Sequence, residues 1–373
     1  SKEFYTASSE LRNQYKNDEE VKRIIDIALG LEGLRRQDGI HAAAVVISPE
    51  AITNYLPVQK KGKDAELVTQ FEMHTVEQLG LLKMDFLGLR NLSIIDRTVE
   101  LINREDFNID EIPLDDKKTF ELFSTGRMIG VFQLESRIAQ ITSRSLKPTR
   151  FEEIVALVAL IRPGPLGANM HIEFADRATG KKEIEFLHTD LKEILEETYG
   201  VILYQEQVMQ IAQKISAFQL DEADDLRKAM GKKIPKVMEQ QRKKFTDGAI
   251  SNGYSEQFSI ELFDQIAFFA GYGFNKSHSV PYALIAYQTA FLKANHPAEY
   301  LSACLTAVKR DKDRTAIFLA EARELGVNVK TPDINLSIED FSVANGEILF
   351  GLSAIRNVGD ITAEKIVAER ESG

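Results

Sequence analysis

Apolar positions follow two regimes along the chain. Residues 18–34 place Val21, Ile24, Ile25, Ile27, Ala28 and Leu31 at helical spacing, and Gly33 ends the run. From Gly39 the period shortens. AAAVVIS and TNYLPVQ read as strands separated by Pro49, KKGKDAE is a polar turn before VTQFE, and a short helix spans His74 to Leu79. In LLKMDFLGLR, period two sends Leu82, Met84 and Phe86 to one face and Lys83, Asp85 and Leu87 to the other. The apolar face should therefore pack on a core, with Asp85 standing on the open face of a sheet.

Beyond Asn91 helical spacing takes over, in SIIDRTVELI, KKTFELF, FEEIVALVALI, QVMQIAQKISAF, ADDLRKAM, SIELFDQIAFFA and SVPYALIAYQTAFLKA. Arg162-Pro163-Gly164-Pro165 breaks this series as a turn, because neither proline fits a helix interior. Asn345-Gly346 lies between two alternating runs and predicts a hairpin. AIRNVGDITAEKIVAER then reads as the opening of a helix-hairpin-helix unit, with Gly359 at its turn. The expected class is α+β and mostly α: a small mixed sheet segment followed by a large helical domain.

Composition narrows the class. The chain has 373 residues, 44% of them hydrophobic and 28% charged, enough for a large core divided among two or three domains. No apolar run approaches the ~20 residues needed to cross a bilayer, and SKEFYTASSE has neither the basic start nor the apolar core of a signal peptide. Cys304, the single cysteine, sits among apolar helical neighbours and reads as core in a reducing, cytoplasmic compartment. The histidines show no ligand spacing with it, so no zinc site is expected. The absent initial methionine and the helical pattern running to the last residues lead us to expect a piece of a longer protein.

A net charge of −11 argues against phosphate binding on average, but not locally. Between Arg227 and Lys244 eight basic residues, including Lys228, Lys232 and Lys233, face Glu239 alone. The segment reads equally as a solvated helix surface, its first charges complementing a helix end before Gly231, and as a phosphate site. Lys276 lies at a loop-to-helix junction where Asn275 and Ser277 can cap and where free N–H groups could meet an anion. Asp85, on an open sheet face, suits Mg²⁺; the plain alternative is an edge carboxylate paired with Lys83.

GIHAAAVVIS from Gly39, VTQFE from Val68, LLKMDFLGLRNL from Leu81, VFQLESR from Val131, LIRPGPL from Leu160, ETYGVILYQEQVMQIA from Glu197, LRKAMGKK from Leu226 and GYGFNKSHS from Gly271 occur in this order. Together they resemble the alpha subunit of bacterial DNA polymerase III, the catalytic subunit of the C-family replicative polymerases, over nearly the whole chain. The resemblance implies the end of a thumb over residues 1–38, the second half of a palm over 39–90 and fingers over 91–340. Residues 341–373 would supply the hairpin and the start of a helix-hairpin-helix DNA-binding region.

By the same resemblance Asp85 is the third of three palm carboxylates holding two Mg²⁺ ions, and the paired aspartates lie before Ser1. This chain alone would then be inactive. Arg227 and Lys228 match the family's basic pair on the incoming deoxynucleoside triphosphate, although Lys228 stands where many members have arginine and offers no bidentate geometry. Lys276 goes to the triphosphate and His278 to its neighbourhood, with a helix-start histidine held by backbone as the alternative. Arg162, Lys232 and Lys233 are assigned to DNA and the nascent base pair. Glu135 leans to a structural role, and Gln205, Glu206 and Gln207 remain open between a cleft lining and a polar helix start. The implied partners are primer-template DNA and deoxynucleoside triphosphates. The sliding clamp and other replisome subunits would bind through regions outside these residues.

Two other classes compete. A non-enzymatic DNA-binding helical scaffold is favoured by the basic segment and the terminal hairpin unit. A P-loop ATPase lacks its GxxxxGK[ST] signature here.

Overall fold

The computed structural model describes residues 9–34, 36–60, 66–232, 235–269 and 273–372. It divides into two compact units between Gly88 and Leu89. In the first, α1 (Ser9–Asn17) and α2 (Glu19–Leu31) precede β1 (Ala44–Ile47), β2 (Val58–Lys60), β3 (Leu67–Thr69), α3 (Met73–Gln78) and β4 (Leu82–Asp85). The start of α2 is set by Asp18, whose carboxylate accepts from the amides of Glu20 and Val21. β1 and β4 pair antiparallel with Ala44 opposite Asp85 and Ile47 opposite Leu82, and β2 pairs with β3 separately. TNYLPVQ is therefore only partly a strand: Ile52–Asn54 forms a 3-10 turn before β2 begins at Val58. The expected polar turn KKGKDAE falls largely outside the described residues.

The second unit is helical. It runs through α4 (Arg90–Ile102), α5 (Lys117–Thr125), α6 (Arg137–Leu146), α7 (Phe151–Leu160), α8 (Pro163–Gly167), α9 (Met170–Ala178), α10 (Lys192–Leu195) and α11 (Gln205–Ser216). α12 (Leu220–Lys232), α13 (Pro235–Ser251), α14 (Glu256–Phe269), α15 (Lys276–Asn295), α16 (Pro297–Val308) and α17 (Lys312–Glu324) follow. A small sheet of β5 (Val329–Lys330), β6 (Ser342–Ala344) and β7 (Glu347–Leu349), then α18 (Asp360–Ser372), completes it. The class is α+β and mostly α, as expected. No helix among the described residues is long and apolar enough to cross a membrane.

α7 is buried from Glu153 to Leu160 and apolar on every side from Ile154 onward, which makes it the centre of one core. α15 packs on it, with Ser279 Oγ donating to the Val155 carbonyl at 2.7 Å. A second core joins α11, α12, α13 and α14 through Ile211, Leu226, Phe245 and Phe263. A third joins α4, α16, α17 and the small sheet, and buries Cys304, whose thiol burial pushes up to about 12; it is core, as its neighbours imply.

Two boundaries differ from expectation. Arg162-Pro163-Gly164-Pro165 is not a simple turn: Arg162 is the N-cap of α8, and both prolines fall in its first turn, where the missing N–H groups would have no intrahelical acceptor. α12 does not stop before Gly231 but continues to Lys232. The hairpin forms as predicted: Asn345 and Gly346 take φ of 52° and 76° between β6 and β7, the left-handed pair that a two-residue turn with the right twist requires.

Candidate functional site

Asp85 is the last residue of β4. Its side chain is 51% exposed, and Lys83 Nζ donates to both carboxylate oxygens at 2.9 Å, which holds the carboxyl below its usual range. The plain alternative of a Lys83 pair is thus realised, and the carboxylate is nonetheless open to solvent. Which sheet face meets the core was read the wrong way round. Val46, opposite Lys83 and on its face, packs against Leu56, Val76 and Leu81, whereas Leu82, Met84 and Phe86 are 53%, 40% and 62% exposed. Asp85 shares the core-packed face and escapes burial because the strand ends there. As one hard oxygen donor it can serve Mg²⁺, in competition with Lys83. Among the described residues no group of three or more His, Cys, Asp or Glu is placed to hold a metal ion.

Three cations of the helical unit, Arg162, Arg227 and Lys276, lie at a short backbone seam. Phe274 N donates to Leu203 O at 3.3 Å and Gln205 N to Phe274 O at 2.9 Å, a parallel bridge that brings the start of α11 beside the start of α15. Gly273 sits where a Cβ would stand 2.7 Å from the Phe269 ring, so the chain closes there only without a side chain. Asn275 caps α15 by accepting from His278 N at 3.1 Å.

Four predicted residues meet at this seam. Arg227 donates to Gln205 Oε1 at 3.5 Å, and Gln205 Nε2 to Gly273 O at 3.1 Å. Lys276 Nζ lies 5.5 Å from the Tyr204 ring centroid. The Arg162 guanidinium stacks 3.9 Å over Phe274, and the exposed His278 ring lies 4.4 Å from that of Tyr282 and 5.6 Å from that of Phe274. Lys233 and the side chain of Lys232 lie outside the described residues.

The expected free amides at α15 are not free. Glu206 accepts from Lys276 N at 2.9 and 3.0 Å and from Ser277 N at 3.4 Å, while Lys276 Nζ pairs with Glu197 at 2.6 Å. Four of the eight cations of the basic segment are likewise matched by acids: Arg227 and Lys228 both hold Asp224, at 2.8 and 2.7 Å, Lys244 holds Glu222 at 2.8 Å, and Arg242 pairs with Asp264. Gln207 is buried and structural, its Oε1 accepting from Leu203 N and Tyr204 N. Glu135 accepts from Gly130 N at 2.6 Å and pairs with Arg314 at 3.1 Å. Glu197, Tyr204 and Asp224 are the residues that pattern reading missed, while Glu206, left open between a cleft lining and a polar helix start, sits at the seam on the Lys276 amide. Only Asp224 had a visible signal, at i−3 and i−4 from two cations of one helix.

Comparison with known proteins follows the same division. Residues 91–253 match the profile of the bacterial DNA polymerase III alpha subunit finger domain, residues 1–88 that of the bacterial DNA polymerase III alpha NTPase domain, and residues 326–373 a helix-hairpin-helix motif. The chain belongs to the bacterial DNA polymerase III alpha-subunit family. It is 46% identical to DNA polymerase III subunit alpha of Thermus aquaticus over 98% of its own length and 30% of that protein. The subunit of Escherichia coli strain K12 is 45% identical over 99% of this chain and 33% of its own length, and that of Mycobacterium tuberculosis strain H37Rv 45% over 96% and 31%. The chain spans about a third of the length of these relatives.

Proposed function

We propose that this chain is the part of a replicative polymerase's catalytic subunit that carries the third palm carboxylate and the nucleotide-binding fingers, and that it works in the cytoplasm on primed DNA. The reaction is template-directed transfer of a deoxynucleotide to a primer 3′ hydroxyl. The observation that carries this reading is the gathering of Arg162, Arg227 and Lys276 at one backbone seam, in a chain about 45% identical to such subunits along nearly all its length. Clustered cations on helix ends suit a triphosphate, whose charge must be matched by fixed donors.

In this reading residues 1–38 end the thumb, 39–90 complete the palm, 91–340 are the fingers, and the hairpin with α18 begins a DNA-binding region. Two Mg²⁺ ions, when bound, supply the charge that activates the 3′ hydroxyl and steadies the departing pyrophosphate. Asp85 contributes one ligand, turning its oxygens from Lys83. Arg227 and Lys276 hold triphosphate oxygens, with Lys228 in support, while Arg162, backed by Phe274, faces the nascent base pair and His278 borders it. Lys232 and Lys233 extend the basic run toward the DNA. One carboxylate does not complete a metal site, so the chain by itself is expected to be inactive, and clamp contacts belong to other regions of the subunit.

In a complete subunit, Asp85→Asn should lower turnover by several orders of magnitude with primed-DNA affinity nearly unchanged, because a metal ligand acts in the transition state. Single-turnover extension alongside DNA titration measures both. Near-normal turnover would remove Asp85 from the metal site.

A further inference from the structure

The seat assigned to the triphosphate is filled by the protein's own carboxylates. Glu206 takes the Lys276 amide with both oxygens, and also engages the Ser277 amide and hydroxyl at 3.4 and 3.3 Å. Glu197 takes the Lys276 ammonium. Both acids thus bind the same donors that a phosphate would need, at the N-terminal end of a 20-residue helix.

A second observation lies beside them. Among the described residues the Tyr204 hydroxyl has no hydrogen-bond partner, although the residue is only 1% exposed. Burial, then the charges of Glu197 and Glu206, push its pKa up, so it stays a protonated donor, and the Lys276 ammonium that holds Glu197 lies 5.5 Å from its ring centroid. An orphaned buried donor is costly, and structures keep one mainly where another state satisfies it.

We propose that Glu197 and Glu206 are placeholder anions for the incoming triphosphate, and that Glu197, once displaced from Lys276, moves onto the Tyr204 hydroxyl. The proposal rests on the assignment of Lys276 to the triphosphate. Loading exchanges one set of charge-assisted bonds for another, so the seat is never left as bare cations and amides. Triphosphate affinity is set by the difference between the two sets. The released Glu197 finds a donor already in place, which offsets the loss of its ion pair.

The test is calorimetric titration of the full chain with inorganic tripolyphosphate and Mg²⁺. Glu197→Gln and Glu206→Gln should each tighten binding, about five- to twentyfold, by removing a competing charge. Lys276→Ala should weaken it at least about tenfold. Tyr204→Phe should weaken binding a few-fold while its unfolding temperature stays level or rises, since no partner is lost in the empty state. Glu206→Gln could perturb the start of α15, so Glu197→Gln, whose side chain among the described residues bonds the lysine head, is the deciding variant. If Lys276→Ala weakens binding but neither glutamine variant tightens it, the placeholder role falls and the triphosphate assignment stands. If wild type and every variant fail to bind, both fall together.

Discussion

At the scale of single residues, the charges that matter come in matched sets. Arg227 is held between Asp224 on its own helix and Gln205 on α11, so its guanidinium is aimed before any ligand arrives. Arg227→Ala in a complete subunit should therefore raise KM for all four deoxynucleotides alike, by about 10- to 100-fold for the loss of a charged hydrogen-bond donor. Steady-state extension on four templates checks this, and an effect confined to one base would contradict a phosphate contact. Arg227 and Lys276 were legible because each stands in a distinctive string. Their partners were not: Glu197 and Lys276 are 79 residues apart, and no periodicity links them. Asp85 was legible as an exposed carboxylate, but the face it shares was not. Alternation tells which residues go together without telling which set is covered.

At the scale of elements, the helices follow from apolar spacing and caps, and the misread boundaries have local causes. Pro163 and Pro165 looked like breakers, but the first turn of a helix has no use for their missing N–H groups. Buried connections are held differently. Lys293, on α15 and 1% exposed, donates to the carbonyls of Arg127 and Ile129 at 2.7 Å each and pairs with Glu321 on α17 at 2.7 Å. Three elements thus meet on one ammonium. Lys293→Met should cost about 3–5 kcal/mol by stranding Glu321, and adding Glu321→Leu should restore part of that. Urea unfolding of both variants measures it, and equal stability of Lys293→Met and wild type would show the pair to be dispensable. Sequence alone could not reveal this clamp, because an alternating lysine in an apolar helix reads as a surface position.

At the scale of the whole molecule, the two units carry very different cores. The first buries Leu56, Val76 and Leu81 with a few partly covered neighbours, and leaves Val45, Ile47, Leu82 and Met84 exposed on one face of β1 and β4. The second buries three large clusters. Amides of residues 44–47 and 82–85 should exchange with solvent far sooner than those of α7 and α15. Hydrogen-exchange mass spectrometry checks the order, and equal protection would mean that the small core is stiffer than its contents. The helical unit has an opposite property at its backbone seam. Arg227 reaches that seam through the Gln205 side chain and Lys276 follows it directly, so main-chain pairing sets the distance between Gln205, which holds one positive charge, and the start of the helix that carries the other. The fold carries its own caliper, and any change that opens the Leu203–Phe274 link would alter the measured span before it altered either charge.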